Sequence, residues 1–208
     1  FGGLSGVQAR RLVPGSQAIA QGYEDQFFSS YFIAHHSSGV ETSASFPQAM
    51  AAKTFTFGSK GSTSGRLMPE YYIRQHLGDT PDKLFSKVGY SGDHSRTIAL
   101  VQSGAYQIGA VNYKVWDSQL AAGKIDTSKV KVIWQTPTYP DYQWTVRGDV
   151  NESWGADFQA RLSRALLDMD DADLLASFPR SAFVSATNTL YQPIVDTAIA
   201  IGLIDADQ

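Results

Sequence analysis

Three hydroxyl side chains stand in a row at Ser62, Thr63 and Ser64, with Gly61 before them and Gly65 after. They follow Lys53 to Gly58, a run that alternates with period two and predicts a strand. Leu67, Tyr71, Tyr72 and Gln75 come next at helical spacing, with Pro69 where only a first helical turn tolerates it. A strand, a short polar loop and a helix start, in that order, suit an anion. The first amides of a helix have no partner within it, and the aligned peptide dipoles leave roughly half a positive charge at that end. Hydroxyls add donors, and a glycine lets a ligand approach the backbone closely. One serine here would read as an N-cap and nothing more; three in succession point to an oxyanion. The segment is not a nucleotide-phosphate loop, because Lys60 lies ahead of the hydroxyls and no Gly-Lys-Ser/Thr follows.

Other turns share this construction. Gly92-Asp93-His94-Ser95 precedes a predicted helix at 96–102, so His94 is either a donor to an anion or a surface or capping residue. Gly2-Gly3-Leu4-Ser5-Gly6 is a further strand-to-helix turn and offers Ser5. Asn112 and Tyr113 end a predicted strand at 107–112, either as ligand contacts or as a strand terminus with a core tyrosine. The candidate ligand-binding set is therefore Ser62, Thr63, Ser64, Gly65, His94, Ser5, Asn112 and Tyr113, converging at one cleft.

Other chemistries find little support. His35 and His36 are adjacent and face opposite sides of a strand, so they do not share a metal. No Gly-x-Ser-x-Gly elbow and no His-x-x-x-His motif occurs. Asp168 to Asp171 reads as a solvated helix end, and Trp134, Trp144 and Trp154 as core or hinge residues. No catalytic residue, metal or cofactor is expected.

Composition narrows the class further. The chain has 208 residues, 17 basic against 20 acidic, for a formal charge of −3. A nucleic-acid binder carries a basic excess or stripe, and this chain has neither. At 43% hydrophobic and 18% charged it has the makings of a folded core. Without cysteine there are no disulfides or thiolate sites. No apolar run approaches the ~20 residues of a membrane span. The sequence starts at Phe1, inside what reads as a strand end, which suggests a processed or truncated product.

The elements that would position these turns alternate. Strands are predicted at 16–21, 27–35, 53–58, 87–90, 107–112, 130–134 and 144–147. Helices are predicted at 7–12, from 67 onward, and at 96–102, 113–122, 154–169 and 190–202, with everything after 147 largely helical. That alternation indicates α/β layers with a mostly parallel sheet, whose ligands sit beyond the carboxyl ends of strands.

The run from Phe55 to Tyr72, with its Ser-Thr-Ser-Gly and Leu-Met-Pro, resembles the signature of phosphonate- and phosphite-binding proteins of ABC importers. The resemblance continues through Tyr90 to Ser95, Ile108 to Tyr113, Gly123 to Asp126, Val132 to Pro137, Val146 to Asp149 and Phe178 to Phe183, nearly the whole chain. It implies a two-lobed type II periplasmic binding protein fold, with a hinge of two crossing segments near 30–34 and 135–143. Lobe one would comprise 1–32 and 135–208, and lobe two 33–134. Lobe one would be incomplete at its N-terminus, since family members carry an additional α/β segment there. The family places the Ser-Thr-Ser-Gly segment on the ligand oxygens and a ligand-binding histidine at His94. The implied function is extracytoplasmic, periplasmic capture of a small tetrahedral oxyanion for an inner-membrane ABC permease and its ATPase. The implied solute is phosphite, a phosphonate, phosphate or a similar anion such as selenate. Aminoalkylphosphonates need acidic partners for the amine, and Asp141 reads more readily as a turn residue. An oxyanion sensor for a signalling partner is the alternative, and a small phosphoryl- or sulfuryl-handling enzyme a more distant one.

Overall fold

The computed structural model describes residues 1–206. Two compact units are present, one formed by Phe1–Phe28 with the chain from Thr138 onward, the other by Ser29–Pro137. The chain passes between them at 28/29 and 137/138.

The first flank carries α1 (Gly3–Leu12) and β1 (Gln17–Gly22). The second unit holds β2 (Ser30–His35), β3 (Thr54–Phe57), α2 (Met68–Leu77), α3 (Pro81–Leu84), β4 (Lys87–Tyr90), α4 (His94–Gln102), β5 (Ile108–Asn112), α5 (Tyr113–Ala121) and β6 (Val130–Gln135). The returning flank adds β7 (Trp144–Val146), α6 (Val150–Trp154), α7 (Phe158–Leu167), α8 (Ala172–Ser177), β8 (Phe183–Ser185) and α9 (Gln192–Ala200).

The sheet of the second unit has the order β4-β3-β5-β2-β6. Strand β3 runs parallel to β4 and β5, whereas β2 runs antiparallel to β5 and β6. The expected common sense therefore holds for β3, β4, β5 and β6, and β2 alone runs against them. Parallel neighbours need a crossover, and β3, β4 and β5 are linked through helices. Strand β2 enters directly from the other unit and inserts between β5 and β6 in the opposite sense. The first unit's sheet, β7-β1-β8, is wholly antiparallel.

The five-stranded sheet contributes side chains to two separate cores. Phe32, Phe55, Phe57, Ile108 and Trp134 pack into one core, and Ile33, Val111, Ile98 and Trp116 into the other. Phe32, Phe55 and Phe57 are fully buried. Each such side chain contributes about 1.5–3 kcal/mol on burial. In the first unit a smaller core gathers Ile19, Ala20 and Leu166 under Trp144 and Leu162.

Two further expectations change in the returning flank. The predicted helix at 154–169 shortens to α7 at 158–167, because Trp154 is the last residue of α6 and Gly155, at φ +107, ends that helix. Strand β8 escapes notice in the sequence because three residues carry no readable period. The helix predicted at 190–202 begins as a 3₁₀ turn at Asn188–Tyr191 before α9.

Candidate functional site

Strand β3 ends at Phe57, and the chain then reaches a π-helical turn at Thr63–Leu67 that runs on into α2. The Ser62 hydroxyl caps this turn by accepting the Gly65 N–H at 2.9 Å. The first bond of the turn runs from Leu67 N–H to the Ser62 carbonyl at 3.0 Å. The amides of residues 63–66 therefore precede the first bond along the helix, and Ser62 takes only that of Gly65. A wide turn of this kind presents more such amides than an α-helical start does. Thr63 and Ser64 are buried at 3% and 1% exposure, and Ser62 is half-buried.

Glycine is required where β3 and the turn meet. The Gly58 N–H donates to the Gly65 carbonyl at 2.8 Å. A Cβ on Gly65 would lie 3.2 Å from the Gly58 Cα and 2.9 Å from the Ser62 hydroxyl. It would also lie 3.0 Å from Cε1 of His94, so the imidazole stands directly against this turn.

His94 opens α4, whose N-cap is Asp93, accepting the Arg96 N–H at 2.8 Å. The His94 Nδ1 accepts the backbone N–H of Asn112 at 3.2 Å. Burial lowers the His94 pKa from its ordinary 6.5, and the nearby Asp93 charge only partly opposes this. The ring is then neutral at pH 7, with its proton on Nε2. The Asn112 side chain is committed to capping α5, accepting the amides of Lys114 at 2.8 Å and Val115 at 3.4 Å. Tyr113 follows, its ring edge-on to Tyr31 at 6.2 Å.

The structure thus brings Ser62, Thr63, Ser64, Gly65, His94 and Asn112 to one end of the sheet of the second unit, with Tyr113 next in sequence. Arg66, the guanidinium within the turn, is engaged elsewhere. It pairs with Glu70 at 3.1 Å and lies over the Tyr90 ring at 5.2 Å. Arg74 holds the other Glu70 oxygen at 2.5 Å. The donors in this cluster are neutral.

Ser5 belongs to the other unit, where its hydroxyl donates to the Gly2 carbonyl at 3.1 Å. The start of α1 already holds a carboxylate of that unit. Asp141 is 1% exposed and its Oδ1 accepts the Gly3 N–H at 2.7 Å. The sequence offered Asp141 as a turn residue more readily than as a partner for a ligand amine; the tertiary contact makes it a helix-terminal anion.

Several residues had no sequence signal. Ser30, fully buried, donates its hydroxyl to the Ser64 carbonyl at 2.7 Å. In the first unit, Arg180 pairs with buried Asp25 at 2.8 Å, and Asp25 also accepts the Gly22 N–H at 3.2 Å. The Tyr191 phenol donates to Gln21 at 3.2 Å, and burial pushes it well above the usual tyrosine range. These partners lie 155 and 170 residues apart in the chain.

A family model described as "ABC transporter, phosphonate, periplasmic substrate-binding protein" matches residues 1–191. The probable ABC transporter phosphite binding protein PhnD1 of Prochlorococcus marinus (strain MIT 9301) is 38% identical over 201 residues, 93% of this chain and 68% of the relative. The solved structure of PhnD1 from that organism in complex with methylphosphonate matches with a TM-score of 0.90. At 36% identity it covers 98% of this chain and 78% of that one. A binding protein component of an ABC phosphonate transporter from Pseudomonas aeruginosa matches with a TM-score of 0.78 at 20% identity, a likeness of fold, over 96% of this chain and 67% of that one.

Proposed function

This chain belongs to the family of periplasmic substrate-binding proteins of phosphonate ABC transporters, and from that premise we propose that it captures phosphite or a small phosphonate such as methylphosphonate. The anion docks on the hydroxyls of Ser62, Thr63 and Ser64, on the amides at the start of the turn, and on Nε2–H of His94. The single observation that supports this reading is the position of His94, whose ring stands 3.0 Å from where a Gly65 Cβ would be and whose Nδ1 is occupied by Asn112. Its remaining N–H is a donor beside a row of donors. Asn112 and Tyr113 flank the site.

Neutral donors suit a multiply charged oxyanion. Bonds from oriented N–H and O–H groups to a charged acceptor are about twice as strong as neutral ones. Membership in a binding-protein family implies delivery of the solute intact to a membrane permease with its ATPase, on the extracytoplasmic side. A periplasmic setting is the specific form proposed here. Among the described residues no helix is long and apolar enough to cross a membrane.

The test is calorimetric titration with phosphite, methylphosphonate, aminoethylphosphonate, phosphate, sulfate and selenate, on the parent chain and on the Ser62→Ala/Thr63→Ala variant. Selective binding of phosphite or methylphosphonate, weakened at least a hundredfold in the variant, is expected if two charge-assisted bonds are lost. Unchanged affinity in the variant would remove the turn from the site. Preference for the amine-bearing ligand would overturn the solute class.

A further inference from the structure

The turn at Thr63–Leu67 leaves one carbonyl that the helix itself cannot satisfy. The Ser62 carbonyl accepts Leu67 N–H and the Thr63 carbonyl accepts Met68 N–H, each five residues on. The Gly65 carbonyl is taken by Gly58 N–H. By the same five-residue step, the donor for Ser64 would be residue 69, which is Pro69 and has no N–H. Ser64 is 1% exposed, so bulk water is no ready substitute. Ser30 supplies the missing donor from strand β2, at 2.7 Å.

We propose that Ser30 is a positioning residue for oxyanion binding, compensating for Pro69 and fixing the peptide plane between Ser64 and Gly65. That plane is clamped at both ends: its carbonyl by the Ser30 hydroxyl, its N–H by the Ser62 hydroxyl at 2.9 Å. Because Ser62 spends a lone pair on the Gly65 amide, the tilt of this plane sets where the Ser62 proton points. Ser30 also stands opposite Asn112 in the β2–β5 register, and Asn112 N–H orients His94. One strand position thus adjoins both halves of the donor set. The inference rests on the oxyanion site proposed above and deepens it.

A double-mutant cycle tests it, with methylphosphonate and phosphite as the probes. Affinity and ligand-free melting temperature are measured for Ser30→Ala, Pro69→Ala and the double variant, beside Ser62→Ala/Thr63→Ala. Ser30→Ala strands a buried carbonyl and is expected to weaken binding about tenfold or more. In the Pro69→Ala background an N–H returns at position 69, and the effect of Ser30→Ala should shrink to about threefold or less. Equal losses in both backgrounds, or no loss in either, would overturn the assignment. Should Ser30→Ala not fold, Ser30→Cys keeps the size with a weaker donor; parent-like affinity there would overturn it too. Loss in Ser62→Ala/Thr63→Ala without loss at Ser30 sinks only this inference, whereas unchanged affinity in that variant sinks the site itself.

Discussion

The Nδ1 of His94 accepts the backbone N–H of Asn112 at 3.2 Å, and that bond decides which nitrogen of the ring carries the proton. A neutral imidazole that accepts at Nδ1 donates at Nε2. Strand β5 therefore selects the tautomer in which α4 offers a donor.

Replacing this donor should cost affinity. His94→Ala is expected to weaken methylphosphonate binding by about tenfold or more at pH 8, where the native ring is neutral, because one hydrogen bond to a charged acceptor is lost. Isothermal titration checks this, and an unchanged dissociation constant would exclude His94 from the site.

The same residue links stability to pH. Its folded pKa lies below the ordinary 6.5. Between the two values the unfolded chain binds more protons than the folded one, so this contribution to stability is present above about 6.5 and is lost as pH falls below it. A series of ligand-free melting curves from pH 8 to 5 should show a steeper decline for the native chain than for His94→Gln. Parallel declines would assign the acid sensitivity to other groups.

Gly65→Ala should damage binding more than folding. The added Cβ would meet the Ser62 hydroxyl at 2.9 Å, the His94 ring at 3.0 Å and Gly58 backbone at 3.2 Å. Two of these are proposed ligand donors, and only the third is fixed backbone. A loss of about 1–3 kcal/mol in stability is expected, together with a drop in affinity beyond tenfold, read from chemical denaturation and titration. Full affinity would mean that the donors have slack.

Arg180→Met tests the first unit alone. Arg180 and Asp25 form a pair whose side chains are 10% and 3% exposed. Removing the guanidinium leaves a carboxylate buried beside Gly22, and about 3 kcal/mol of stability should go with it. Restoration in an Asp25→Asn/Arg180→Met double variant, followed by denaturant unfolding, separates charge burial from lost packing. A single variant as stable as the parent would show that the pair contributes no net stability.

The residues of the turn were legible because their signal is local. Ser62, Thr63, Ser64 and Gly65 lie between an alternating run and a helical run, and short-range chemistry alone marks a helix start rich in donors. His94 was legible as a turn residue, though nothing in Gly92 to Ser95 tells which ring nitrogen is protonated. The strands of the second unit were readable from period and apolar content, but the reversed sense of β2 was not. Strand direction depends on how β2 enters from the other unit, and the local pattern is the same either way.

What the amino-acid sequence determined by itself was therefore the strand–loop–helix grammar and the donor-rich turn, both set by backbone preferences within a few residues. Only the tertiary structure decided the roles of Ser30, Asn112, Asp141, Asp25 and Arg180. Ser30 is an unremarkable strand residue until the fold sets it against a carbonyl 34 positions away that Pro69 cannot serve. Hydrogen-bond need is created locally by a missing N–H, but the group that meets it is chosen by which strands lie side by side.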